Sequence, residues 1–330
     1  STPLYSSAAS DVYKRQAIRR TSAAAIGAME RVISGCGEWS RLAQTGIASP
    51  NVWRVGKNTT AFSQTLPPSK MSQSACVISP VKAEYQPKGI SGKVAGLDAY
   101  VVGPDSKHVL LSVYDIFGFW DTTKQSADLL SEALHVKVIM PDFFRGKPWP
   151  MNAFPPRDEE EQKVFDEWFA TVASVSDRKK DLDAIAQELK SQGVEKIGVY
   201  GFSWGAKIAS LAGYEGTPFT GVVIVYPAMM HGGGEKQVVP ESIMVSGEDS
   251  KYLGVPAAFF PSKDEPRDES DKYWSTLKQS RPELVEKSVY HYYDIFHGFA
   301  AAPANFHDEA NRAAATELYQ RLANFFHTIF

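Results

Sequence analysis

The chain has 330 residues, 43% hydrophobic and 22% charged, with a formal net charge of -3. Those values suit one large globular domain with extensions, and they exclude a protein whose bulk charge is built for nucleic acid or a membrane surface. No run of 18 apolar residues occurs, so no transmembrane helix is expected, and two cysteines (Cys36 and Cys76), neither in a CxxC nor a His-rich setting, exclude a disulfide framework and a zinc site.

Residues 1–70 differ from the rest. They hold nine Lys or Arg against three acids, net +6, which leaves -9 for the remainder. Ser, Ala and Thr abound, and no sustained hydrophobic period is present. The composition fits an organellar transit peptide, or upstream sequence of cloning or assembly origin that is foreign to the native protein. The opening SSAASDVYKRQ favours the second, with Met71 as the natural initiator. Residues 1–70 are therefore read as a non-core extension, disordered, and 71–330 as the folded domain. The expected compartment is cytoplasmic, or mitochondrial if the extension is a genuine transit peptide.

Beyond Met71, short apolar runs alternate with amphipathic stretches. Leu97–Val102 and Val109–Tyr114 read as strands, the second nearly continuous and so buried on both faces. Thr122–Leu134 carries apolar residues at helical spacing, and Val136–Met140 is another buried strand, stopped by Pro141. The Pro-rich stretch Arg145–Pro156 is a loop. Glu159–Val172 and Asp177–Ser191 read as helices, and Lys196–Tyr200 as a strand running into Gly201 and a helix from Trp204. Gly221–Tyr226, Ser242–Ser246 and Ser288–Tyr293 read as strands, and Glu309–Phe330 as a closing helix. This alternation predicts an α/β fold with a mostly parallel sheet covered on both faces.

The chemistry centres on Gly201-Phe202-Ser203-Trp204-Gly205. GxSxG between a strand and a helix is the pattern of a nucleophile elbow, which holds a serine in a strained turn with Oγ exposed above the sheet. Ser203 also precedes a helix N-terminus, where free N–H groups favour developing negative charge. A structural Gly-rich βα turn of a nucleotide-binding fold is the competing reading, and the absence of GxGxxG and of a Walker lysine weighs against it. A nucleophilic serine needs a base and the base an orienting acid, in the chain order Ser, acid, His. His297 follows the last strand, so it is the expected base, whereas His291, His307 and His327 fall inside elements or near their ends. Asp249, in Gly247-Glu248-Asp249 after Ser242–Ser246, is the expected acid, with Glu248 in reserve and Asp264, Asp268 and Asp271 placed in a solvated stretch. His231-Gly232-Gly233-Gly234 resembles an oxyanion motif but follows the nucleophile, so it reads as a flexible loop. The oxyanion donors are expected at the amides of Ile116 and Trp204.

Four segments together resemble the dienelactone hydrolase family, closest to its eukaryotic, fungal-type branch: Tyr114-Asp115-Ile116-Phe117-Gly118, Pro141-Asp142-Phe143-Phe144-Arg145-Gly146, Gly201 to Ala206, and His297-Gly298-Phe299. The resemblance implies an α/β-hydrolase core without a large cap domain, acting on small esters or lactones with no cofactor or metal. The expected partner is a small-molecule substrate rather than nucleic acid or membrane, with the protein a monomer or weak homodimer. It also implies substrate-site roles for Asp115, which matches the acid that the family couples to its nucleophile, and for Arg145, which matches one of two arginines that hold a substrate carboxylate. Ser203 stands where the family usually has cysteine, and Ala300-Ala301-Ala302-Pro303 stands where the second arginine would be. Three readings stay open: a serine-type esterase, a thiol enzyme whose cysteine was replaced, and a non-catalytic binding protein on the same fold.

Overall fold

In the computed structural model, residues 76–229 and 238–330 are described. The expectations for 1–70, for Met71 as initiator and for His231–Gly234 lie outside the described residues. Eight strands form one sheet: β1 (Ile90–Val94), β2 (Leu97–Val102), β3 (His108–Val113), β4 (Lys137–Pro141), β5 (Lys196–Phe202), β6 (Gly221–Val225), β7 (Ala257–Phe260) and β8 (Val289–Tyr290), in the order β1-β2-β4-β3-β5-β6-β7-β8. β2 pairs antiparallel with β1 and β4, and every pairing from β4 through β3 to β8 is parallel. This is the α/β-hydrolase fold. The central strands read Val-Leu-Leu-Ser-Val, Lys-Ile-Gly-Val-Tyr and Gly-Val-Val-Ile-Val because both of their faces are covered, which removes the polar alternation of a half-exposed strand.

Helices follow the strands: α1 (Asp121–Leu134), α2 (Glu159–Thr171), α3 (Val175–Ser191), α4 (Trp204–Ala212), α5 (Arg267–Ser280), the short α6 (Pro282–Val285) and α7 (Glu309–Ile329). The side chain of Asp158 caps α2 by accepting from Glu161 N, and that of Asp308 caps α7 by accepting from Asn311 N. Among the described residues no helix is long and apolar enough to cross a membrane.

One expected element is corrected. Ser242–Ser246 is not a strand: Pro240 opens a 3-10 turn at Glu241–Ile243, and only Val245 makes a single bridge, to Met229. Ile243, Met244 and Val245 are buried all the same, so the apolar run reports burial rather than a ladder. The strand here is β7, an apolar run bracketed by Pro256 and Pro261 that those prolines disguise. Asp264, Asp268 and Asp271 are exposed as expected, and from Arg267 the charged stretch builds α5, with Tyr273 and Leu277 buried on its inner face. β1 carries a polar, largely exposed sequence at the sheet edge and was not foreseen.

The N-terminal stretch of the described residues is pinned to α1 by one buried carboxylate. Asp128 accepts from Tyr85 Oη at 2.6 Å, Tyr100 Oη at 2.6 Å and Lys88 N at 2.8 Å. Both tyrosines hold their protons more tightly than usual, through burial and through these bonds. Replacing Asp128 by Ala strands three donors, each worth about 1 kcal/mol or more when buried. Asp128→Ala is therefore expected to lower stability by roughly 3 kcal/mol, read as a drop in the urea midpoint at unchanged slope; a midpoint equal to wild type rejects the pinning role.

Candidate active site

β5 ends in the elbow. Ser203 has φ 55° and ψ -113°, a region that costs a non-glycine residue about 1–3 kcal/mol. The strain is held by backbone bonds on either side: Ser203 N donates to Val225 O of β6 at 3.1 Å, and Ala206 N donates to Ser203 O at 3.0 Å. The flanking glycines are steric requirements. A Cβ on Gly201 would run into the carbonyl of Gly205, and a Cβ on Gly205 into the carbonyls of Val113 and Tyr114 at the end of β3. Trp204 is fully buried, with its indole N–H donating to Ala173 O at 3.0 Å and its ring against Phe143 and Phe144.

The structure brings Ser203 and His297 together. His297 Nε2 lies 2.8 Å from Ser203 Oγ, and Nδ1 lies 2.7 Å from Glu265 Oε1. A carboxylate can only accept, so Nδ1 carries the hydrogen and Nε2 is free to accept from the serine hydroxyl. Glu265 is 5% exposed, and its other oxygen accepts from Ser262 N at 2.5 Å. The neighbouring Asp264 accepts from the backbone N–H of His297 at 2.8 Å. Burial alone works against the charged imidazolium, but Glu265, then Asp264 and Asp115, outweigh it, and the imidazole titrates above its ordinary value.

The expected acid is thereby corrected. Asp249 does not reach His297. It lies in a short turn (Asp249–Tyr252), where it accepts from Lys207 Nζ of α4 at 3.0 Å and from Ser246 N at 3.2 Å. Glu248 points outward to Lys272 and Lys251. Because Ser242–Ser246 is not a strand, nothing after it sits at a strand's carboxyl end, and that position belongs to the residues after β7. The sequence signal was Ala257-Ala258-Phe259-Phe260 followed within five residues by Asp264-Glu265.

Asp115 is also placed differently. The resemblance implied a carboxylate facing substrate, yet Asp115 is 2% exposed with both oxygens engaged by backbone amides: Oδ1 by Phe117 N at 3.0 Å and Oδ2 by Ala302 N at 3.0 Å. Burial raises its pKa to about 7 against those bonds and the pull of His297. Ile116 follows at the carboxyl end of β3; its carbonyl accepts from Trp149 N at 2.9 Å. Among the described residues the Ile116 and Trp204 amides donate to no other group. Arg145, at φ 54°, donates to Phe143 O at 3.1 Å and pairs with Asp181 of α3 at 3.0 Å, its side chain remaining 47% exposed. Tyr226, at the end of β6, packs its buried ring 5.0 Å from the His297 ring.

Residues 97–330 match the family model described as dienelactone hydrolase family. The chain belongs to the dienelactone hydrolase family. It is 32% identical over 238 residues to an AIM2 family protein of Schizosaccharomyces pombe, covering 71% of this chain and 88% of the relative. A carboxymethylenebutenolidase homolog of Xenopus tropicalis is 36% identical over 134 residues, 38% of this chain and 50% of the relative. Among solved structures, a dienelactone hydrolase from Klebsiella pneumoniae superposes with TM-score 0.55 at 18% identity, covering 72% of this chain and 98% of that one. An esterase of Pyrococcus furiosus does so with TM-score 0.52 at 14% identity, covering 78% and 98%. These superpositions bear on the fold alone, and membership of the family supports a hydrolase role.

The carboxylates around His297 make its titration a direct reading of the geometry. Replacing Glu265 by Gln removes the dominant charge favouring the imidazolium, so the His297 pKa is expected to fall. NMR titration of ring-labelled histidine, assigned with a His297→Gln control, measures it. An unchanged titration in Glu265→Gln would show that Glu265 does not hold the ring.

Proposed function

We propose that this protein hydrolyses small, uncharged esters or lactones by an acyl-enzyme route, with Ser203 as nucleophile, His297 as base and Glu265 as the acid that orients it. The observation that carries the reading is the unbroken line from Ser203 Oγ through both ring nitrogens of His297 to Glu265, at 2.8 and 2.7 Å. Nucleophile and base within hydrogen-bond reach, with the base held by a third group, is the arrangement that activates a serine.

In the first half-reaction, Ser203 Oγ attacks the carbonyl carbon as its proton passes to His297 Nε2. The carbonyl oxygen takes the negative charge and accepts from the Ile116 and Trp204 amides, with the N-terminus of α4 adding its dipole. Collapse of the tetrahedral species breaks the bond to the alkoxy oxygen, which leaves with the proton from Nε2. Water then repeats the sequence on the acyl-enzyme with His297 as base, releasing the acid and restoring the serine. Glu265 keeps the imidazole in its working tautomer and stabilises the imidazolium without taking the proton. Each step uses only side chains and amides of this chain.

The preference for uncharged substrates follows from the cations. Arg145 is paired with Asp181, and Ala300, Ala301 and Ala302 occupy the loop after the base, so two arginines are not available to grip a substrate carboxylate. Beside the Ile116 turn the surroundings are aromatic: Phe117 meets Phe154 at 5.9 Å, and Phe154 meets Phe165 at 5.8 Å. The serine itself suits this machinery, since a hydroxyl, unlike a thiol, must lose its proton to a base during attack.

The test uses p-nitrophenyl acetate hydrolysis and labelling by a fluorophosphonate probe. Ser203→Ala is expected to lose labelling and roughly 10,000-fold or more in kcat. Wild-type rates in that variant would sink the proposal, and an unlabelled wild-type Ser203 would favour a non-catalytic protein. Glu265→Gln should lose about 1,000- to 10,000-fold, as removal of an orienting acid does. Asp249→Asn should stay close to wild type per folded molecule. A large gain in Ser203→Cys would instead mark the site as that of a thiol enzyme.

A further inference from the structure

His297 lies on an irregular loop that must hold the ring in register with a turn at the end of a different strand. The residues after it are buried and tied down from two directions. From below, α7 supplies Tyr319 Oη, donating to Ala300 O at 2.5 Å, and Asn311 Nδ2, donating to Phe299 O at 2.5 Å. From the side comes Asp115. Its two oxygens reach two different machines: Oδ1 accepts from Phe117 N in the turn that bears the Ile116 amide, and Oδ2 accepts from Ala302 N in the loop that bears His297. Asp115 and Ala302 are 187 positions apart in the chain. Asp115 does not bond to Ser203 among the described residues, and at 2% exposure it is not a substrate contact.

We infer that Asp115 is a positioning residue that clamps the loop carrying His297 to the turn carrying the Ile116 amide, so that base and oxyanion donor keep a fixed separation. This rests on the reading of Ser203, His297 and Glu265 as hydrolytic machinery. A carboxylate carries two acceptor oxygens, and accepting from both amides fixes two loops with a single rotamer. The cost is a buried charge, which the structure tolerates only because both oxygens are bonded and the His297 ring lies near enough to attract it. The groups facing His297 are Glu265 and Asp264 from the stretch after β7, Asp115 from the stretch after β3, and the ring of Tyr226 from the end of β6.

Two consequences separate a clamp from mere packing. Asn at position 115 keeps the shape and one acceptor oxygen, so it keeps one amide bond and loses the other. Ala keeps neither. For folded protein, verified by urea unfolding, kcat on p-nitrophenyl acetate should fall about tenfold in Asp115→Asn and about a hundredfold in Asp115→Ala, with KM within threefold of wild type, because a shifted donor is felt in the transition state more than in binding. Losing the carboxylate also removes one charge that favours the His297 imidazolium, so the acid limb of the kcat/KM profile in Asp115→Asn should move to lower pH. Folded Asp115→Asn with wild-type kcat and an unmoved limb overturns the clamp.

Should neither variant fold, hydrogen exchange on the wild-type protein decides. The Phe117 and Ala302 amides, both outside helices and strands, should be strongly protected. Exchange of Ala302 at the rate of a free amide overturns the inference. If the wild-type protein and Ser203→Ala prove equally inactive on esters, the hydrolase reading fails, while the exchange result still reports whether the clamp exists.

Discussion

Helix α4 lies over strands β3 and β5 at a separation that leaves no room for a side chain at either glycine of the elbow. With Gly201 against the Gly205 carbonyl and Gly205 against the carbonyls of Val113 and Tyr114, the chain has to reverse within one residue, and that residue is Ser203 at φ 55°. The close approach is what lifts Oγ clear of the sheet, turns the Trp204 amide toward the same space and aims the positive end of α4 at it. The strain of about 1–3 kcal/mol at Ser203 is offset by the backbone bonds to Val225 and Ala206 and by burial of the whole Trp204 ring beside it. On the proposed function, nucleophile, donor and dipole are thus three results of one packing distance.

The partner side of the site has no such single cause. His297 sits on a loop with no ladder to hold it, and its position is over-determined by polar contacts from separate elements: Asp264 on its amide, Glu265 on its ring, Asn311 and Tyr319 on the carbonyls that follow, and Asp115 on the amide of Ala302. Buried irregular backbone is costly unless its N–H and C=O groups find partners, and here the groups that satisfy the loop also set the geometry of the base. Satisfying the backbone and aligning the imidazole are the same set of bonds.

How much of this was legible in the sequence follows from the two kinds of control. The parallel core was readable because β3, β5 and β6 are covered on both faces and therefore nearly all apolar. The elbow was readable because sterics force glycine at two fixed offsets around Ser203. His297 was readable by its place after the last strand run. The acid was not, for a local reason: Pro256 and Pro261 frame β7 and make a short buried strand look like a loop, while Ile243, Met244 and Val245 imitate a strand although they pack through a 3-10 turn and one bridge. Shifting one strand shifted the expected acid from Glu265 to Asp249. The partners of Asp115 and Arg145 were beyond sequence altogether, since no spacing rule connects them to Ala302 and Asp181.

The balance of charge around His297 also explains why a serine can stand in this elbow. A thiol brings its own acidity and asks little of its base, whereas a serine hydroxyl must be deprotonated as it attacks, so the base has to be basic enough to take that proton and still be neutral at working pH. Burial of the imidazole pushes its pKa down, and the carboxylates of Glu265, Asp264 and Asp115 push it up further. Were burial unopposed, the ring would be neutral but too weak a base; were the three carboxylates to act in water, screening would blunt them. Among the carboxylates of the described residues Glu265 is the one bonded to the ring, on the nitrogen away from Ser203, so the increase in basicity reaches Nε2 from the far side of the imidazole. Asp115, buried and with both oxygens occupied by backbone amides, adds to the pull on the imidazolium. On the proposed function, the ring is made more basic chiefly through Glu265, whose contact lies on the nitrogen away from Ser203.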